Sequence, residues 1–171
     1  MKKIVLTLSA LILSMGVGLA QKYAFVDTEY ILSNIPTYKA AQDQLDQLSK
    51  EWEEEISVMY AEVEKMYRDY QSEEVLLTQE MKRKREDEII NKEKEVKDLQ
   101  NKYFGREGDL FQKRQELIKP IQDEVYNAVK EIAVEGNYAV IFDTSSGPSL
   151  LYTNPRYDLS DDVLEKLGYK N

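Results

Sequence analysis

Histidine and cysteine are both absent from the 171 residues. Without them the chain has no imidazole base, no thiol nucleophile, no usual metal-ligand set and no disulfide framework. Neither G-x-x-x-x-G-K-[ST] nor G-x-G-x-x-G occurs, so no phosphate-cradling loop is expected. Basic side chains are the minority, 23 against 32 acidic, which argues against a nucleic-acid surface. Carboxylates are plentiful, but on strongly charged helices they read as a solvated face. No enzyme is expected, and no catalytic residue, metal site or cofactor.

Long apolar runs are confined to the start. Met1-Lys2-Lys3 leads into an apolar stretch over 4–19, broken by Thr7, Ser9 and Ser14, and Gly18 and Ala20 precede Gln21. This is the pattern of a secretory signal cleaved after Ala20, too short and too interrupted to span a membrane. Gln21 and the lack of cysteine close the lipid-anchoring route, so a soluble exported product is expected. Removing two lysines with the signal leaves 21 basic and 32 acidic side chains, a net charge of −11.

What is abundant is helical periodicity. Apolar residues fall at Leu45, Leu48, Trp52, Ile56, Met59, Val63, Met66 and Tyr70, in steps of three and four that average one helical turn. A second stripe follows through Ile89, Val96, Leu99, Tyr103, Leu110, Leu117, Ile121, Val125, Ala128 and Ile132. Two long helices are predicted. Gly105 and Gly108 fall inside the second, as a soft point, as tolerated surface residues, or as positions that let the first helix approach closely. Residues 71–79 interrupt the stripes and are assigned the tip of a hairpin, because one unbroken rod would leave both stripes without a partner. Residues 37–77 carry 4 basic and 11 acidic side chains and residues 78–119 carry 12 and 10, so antiparallel arms are complementary.

The ends read differently. Residues 22–27, 137–144 and 150–153 have the composition of short strands, with a turn at 145–149. Gly136 is read as the cap that stops the long helix, and Ser160 as the cap of a last short one. Alternation over 138–142 implies a strand covered on both faces around Ile141. Three short strands leave exposed edges, which self-association through Tyr23, Phe25, Val26, Tyr138, Val140, Ile141, Phe142, Leu150 and Tyr152 would cover. The expected fold is α+β. Residues 21–36 and 120–171 would form a small β-rich body, and residues 37–119 a long antiparallel helical hairpin.

Phe25-Val26-Asp27 with Ile31-Leu32 and Pro36, the run GNYAVIFD over 136–143, and LYTNPRYDLSDDVL over 151–164 resemble the Skp/OmpH family of periplasmic chaperones. The resemblance spans the chain from residue 21, specific at the ends and compositional in the helices. It implies a homotrimer shaped like a jellyfish, with a β-barrel body gathering strands from three chains and three hairpin tentacles enclosing a cavity. It also implies ATP-independent holding of unfolded outer-membrane proteins in the periplasm. The best-known members are strongly basic, whereas this chain is acidic.

Several aromatics lie off the two stripes. At about 100° per residue, Tyr60 and Tyr67 sit roughly 80–90° from the first stripe, and Phe104, Phe111 and Ile118 form a seven-spaced shoulder beside the second. These rings either offer a client-binding surface or widen the hairpin seam. Met59, Met66 and Met81 are flexible enough to suit varied clients. Lys82-Arg83-Lys84-Arg85 could meet anionic lipid or lipopolysaccharide, or form a solvated face through the pairs Lys82/Glu86, Arg83/Asp87 and Lys84/Glu88. The leading reading is a holdase for unfolded outer-membrane or exported proteins. The other is a structural coiled-coil adaptor of the cell envelope with one defined partner, which would need continuous heptads.

Overall fold

The structure is a computed structural model describing residues 21–145, 147 and 150–169; the signal sequence read at 1–20 lies outside them. The described residues divide into two compact units, one combining residues 21–31 with the described residues from 125 onward, the other made of residues 32–124. Each has its own set of buried side chains.

In the first unit, strand β1 (Lys22–Val26) is followed by helix α1 (Thr28–Ser33). Its partner is β2 (Tyr138–Asp143), from the far end of the chain, and the two run parallel, with Phe25 opposite Phe142 and their rings stacked at 5.9 Å. On its other edge β1 meets the segment leading into the last helix, through a Phe25–Asp158 bridge and a bond from Leu159 N to the Phe25 carbonyl at 2.9 Å. Ala24, Val26, Ile31, Val163 and Leu164 are buried here. Asp143 joins the ends: Thr28 donates to its carboxylate through both N (3.2 Å) and Oγ1 (2.8 Å), and Ser145 adds further bonds. Burial pushes this carboxyl up, but the bonds from Thr28 and Ser145 outweigh it and hold Asp143 below the ordinary carboxylate range.

Four expectations about this unit are corrected. Residues 150–153 form no strand: both edges of β1 are already taken, and Leu151 is fully exposed. The sheet is therefore a two-stranded parallel pair. Within one chain β2 is not covered on both faces either, since Val140 and Phe142 each stay about 40% exposed. At the helix ends, Gly136 remains helical and Asn137 takes the left-handed conformation (φ 54°), which its short polar side chain tolerates. Ser160 is the first residue of the last helix rather than its cap, and its Oγ instead accepts from Asp27 N at 2.8 Å.

The second unit is dominated by α2 (Pro36–Glu73), 38 residues without a break and about 57 Å long. Pro36 starts it because a missing N–H costs nothing in the first turn. A 3₁₀ turn at Glu74–Leu76 reverses the chain, Leu77 is extended, and Thr78 caps α3 (Gln79–Phe104) by accepting from Met81 N. The seam is one residue layer deep. Ile56, Val63 and Val96 form a buried cluster flanked by Met59, Leu99, Tyr103 and Phe104. Ala41, Leu45 and Ile118 form a second, flanked by Tyr38, Leu110, Leu117 and Ile121.

The return arm is not continuous, contrary to expectation. It divides into α3, α4 (Asp109–Leu117) and α5 (Lys119–Gly136). The break between α3 and α4 needs its glycines: a Cβ at Gly105 would overlap the Asn101 carbonyl, and one at Gly108 would lie 2.6 Å from the Lys102 carbonyl oxygen. It also resets the helical phase, so that Ile118, expected on an exposed shoulder, is buried in the seam.

Candidate functional site

Two rows of polar contacts border the hairpin seam. On one side Tyr60 Oη donates to Gln100 Oε1 at 3.2 Å and Tyr67 Oη to Glu93 Oε1 at 3.1 Å. A seven-residue step along α2 is matched by an equal step back along α3, as an antiparallel pair requires. On the other side Tyr103 Oη donates to Glu55 at 2.8 Å, and Lys92 Nζ lies 2.9 Å from Glu62. At about 100° per residue Tyr60 and Tyr67 fall on the opposite flank of the Ile56–Val63 line from Glu55 and Glu62, so the hairpin has one tyrosine edge and one more ionic edge. Nearer the turn, Tyr70 Oη donates to Glu86 at 2.6 Å.

The phenol ends of Tyr60 and Tyr67 thus staple the arms while the rings face solvent, 48% and 41% exposed. An aromatic body with a tethered polar tip is a rigid contact surface with little rotamer freedom left to lose. Between the rows, Trp52 stacks on Tyr103 at 4.7 Å and meets the edge of Phe104.

These bonds shift acid–base behaviour. The hydrogen bond to Glu86 pushes the Tyr70 phenol up to about 12, and bonds to Glu93 and Glu55 raise Tyr67 and Tyr103. A raised folded-state value means the contribution is complete below the ordinary phenol value near 10 and is lost as pH climbs through the folded value. Tyrosinate absorbance should therefore show a late phase near 12 that Tyr70→Phe removes, with helix content falling between about pH 10 and 12. A single phase near 10 in the parent chain would contradict these bonds.

Residues 22–167 match the family described as outer membrane protein (OmpH-like). The chain belongs to that family. The OmpH-like fold is also seen in the crystal structure of a Caulobacter crescentus protein described as an outer membrane chaperone (OmpH-like), at a TM-score of 0.66 and 12% identity, covering 86% of this chain and 83% of that one. No curated protein sequence matches the chain.

Within this OmpH-like hairpin, Tyr60 and Tyr67 come together on one exposed edge, but the other candidate side chains do not all join them. Phe104 and Met59 flank the seam cluster, Met66 is half-buried, and Phe111 is exposed beyond the glycine break in α4. In the basic run, the expected pairs four residues apart give way to other acceptors. Lys82 bonds Glu74 at 3.2 Å, Arg85 lies 3.6 Å from Glu73 and 3.5 Å from Glu88, and Arg83 and Lys84 make no ion pair among the described residues. Glu55, Glu86, Glu93 and Gln100 were not expected from sequence as acceptors for tyrosines, nor were Val75 and Leu76 singled out, which stand exposed at the turn. Stepping seven residues back from an assumed turn could have found the first group. Among the described residues no three His, Cys, Asp or Glu side chains are grouped to hold a metal ion, and no helix is long and apolar enough to cross a membrane.

Proposed function

We propose that this OmpH-like chain is an ATP-independent periplasmic holdase that keeps unfolded outer-membrane proteins from aggregating. The observation that carries the reading is the hairpin's tyrosine edge, where ring faces are exposed while their hydroxyls are tied down. Such an edge offers many weak, shallow contacts rather than one deep pocket, which suits clients without fixed structure. Tyr60 and Tyr67 lead this surface, with Phe111 further along and Phe104, Met59 and Met66 lending support from the seam.

The working form is a homotrimer, in which residues 21–36 and 120–171 build the shared body and residues 37–119 the tentacles. Two features support it. The outer edge of β2 has no strand partner among the described residues, and the 150–152 segment, read as a strand, is exposed without one. One copy's segment pairing with the next copy's edge would satisfy both. Exposed Val75 and Leu76 at the hairpin turn, with exposed Arg83 and Lys84 early in α3, support a contact with anionic lipid. The adaptor reading is disfavoured by the glycine break, which interrupts any continuous seam.

The test dilutes a urea-denatured outer-membrane protein into buffer containing residues 21–171 and no nucleotide. Light scattering should stay near baseline once trimer exceeds client. Unchanged aggregation would contradict the proposal.

A further inference from the structure

We propose that the tyrosine edge of the hairpin holds cationic stretches of unfolded polypeptide, bearing lysine or arginine, in preference to anionic ones. This rests on the holding role above and names the class of chain that is held. Tyr67 and, nearer the turn, Tyr70 each place a ring beside a carboxylate, Glu93 at 3.1 Å and Glu86 at 2.6 Å, the two acids seven residues apart on the same face of α3, and in both cases only Oε1 receives the phenol. The remaining acceptor capacity of each carboxylate is unused by the phenol. A lysine or arginine arriving from solvent can lie on a ring face and reach the neighbouring carboxylate together, combining a cation–π contact with a charge-assisted hydrogen bond.

Spacing agrees with an extended occupant. The seven residues from Tyr60 to Tyr67 cover about 10 Å of helix, which about three residues of polyproline II chain also span, one turn that brings the side chain back to the same face. A client with a basic residue at every third position would match successive rings.

The charge of the hairpin favours the same occupant. Residues 37–119 hold 16 basic and 21 acidic side chains, a net −5, and the first arm alone holds 4 against 11 over 37–77. Three cations of the return arm are engaged within the hairpin: Lys82 with Glu74, Arg85 with Glu73 and Glu88, and Lys92 with Glu62 and Glu95. Their partners are neutralised with them, but the excess lies with the acids. An approaching cation is drawn in, and an anionic chain is repelled.

The test uses residues 21–171 and two labelled unstructured peptides of equal length and identical tyrosine, leucine and serine positions. One carries lysine at every third position, the other glutamate. Fluorescence anisotropy at low ionic strength should give the lysine peptide an affinity at least about tenfold higher, and the difference should shrink near 0.5 M salt, where the Debye length is only about 4 Å. The double variant Glu86→Gln, Glu93→Gln keeps an acceptor for each phenol but removes the charge, and should cut the preference to about threefold or less. Aggregation suppression is measured in parallel. A chain that suppresses aggregation yet binds both peptides equally, or favours glutamate, overturns the charge preference and leaves the holding role standing. Full preference retained in the double variant overturns the assignment to this edge. A chain that binds neither peptide and suppresses no aggregation overturns both this proposal and the holding role beneath it.

Discussion

A Val163→Asp chain should melt about 10–15 °C below the parent, as a loss of about 3–5 kcal/mol implies for a chain of this length. Val163 is completely buried, in the last helix α6 (Ser160–Lys166), and Leu164 beside it is almost equally so. Aspartate is close to valine in size, so the change adds no bulk. What it adds is a carboxyl group that must either stay charged in an apolar setting or hold its proton well above the ordinary range. Two residues away Asp161 is exposed and favourably placed in the first turn, which makes the cost specific to the buried position. Glu54→Lys, on the solvent side of α2, should move the melting point by no more than about 2 °C. If far-UV circular dichroism finds both changes equally mild, the core of this unit has been misassigned.

The second large effect concerns the hairpin. Val96 is completely buried between the arms and shares a cluster with Ile56 and Val63. Val96→Ala should cost about 1–2 kcal/mol by opening a small void. Val96→Asp should cost about 3 kcal/mol or more, because a seam one layer deep offers an unpaired carboxylate no second shell of polar groups. Lys92, one turn earlier, is already held by Glu62 at 2.9 Å and Glu95 at 3.7 Å. Trp52 is the only tryptophan in the chain and stacks on Tyr103 across the seam, so its emission reports on the arms directly. A red shift at 25 °C is expected for Val96→Asp and not for Val96→Ala. Unshifted emission from Val96→Asp would show that the seam tolerates charge.

How far the fold could be read in advance depended on whether the determining contacts were local. The helical stripes depend only on a repeat near 3.6 residues, and Ile56, Val63, Ile89 and Val96, all taken from those stripes, are buried. The β1 and β2 segments were legible for the same reason, through β-branched and aromatic composition. At 150–153 the same signal gave a strand that the single chain does not form, because strand propensity cannot supply a neighbouring edge. Gly105 and Gly108 were each affordable inside a helix, at about 1 kcal/mol. Together, three residues apart, they let the chain leave the helix and re-enter out of phase, which buried Ile118 and left Phe111 outside.

The candidate edge was half legible. Angular offset placed Tyr60 and Tyr67 beside the seam, but their hydrogen-bond partners depend on where the turn falls, and one residue of slippage would change every pair. The basic run fared worse for a related reason. Pairs four residues apart were the only partners visible along one helix, whereas Glu73 and Glu74 reach Arg85 and Lys82 from the other side of the turn, and Glu86 accepts from Tyr70.

The measurement that bears most directly on the holding edge is site-specific photo-cross-linking to an unfolded outer-membrane protein. A photoreactive residue replaces Tyr67 on the tyrosine edge in one chain, and Val58, exposed on the far side of α2, in another. Adducts should form from position 67 and be several-fold weaker from position 58, with the oligomeric state of the parent chain unchanged in both. Equal yields from the two positions, or adducts from position 58 alone, would contradict the account.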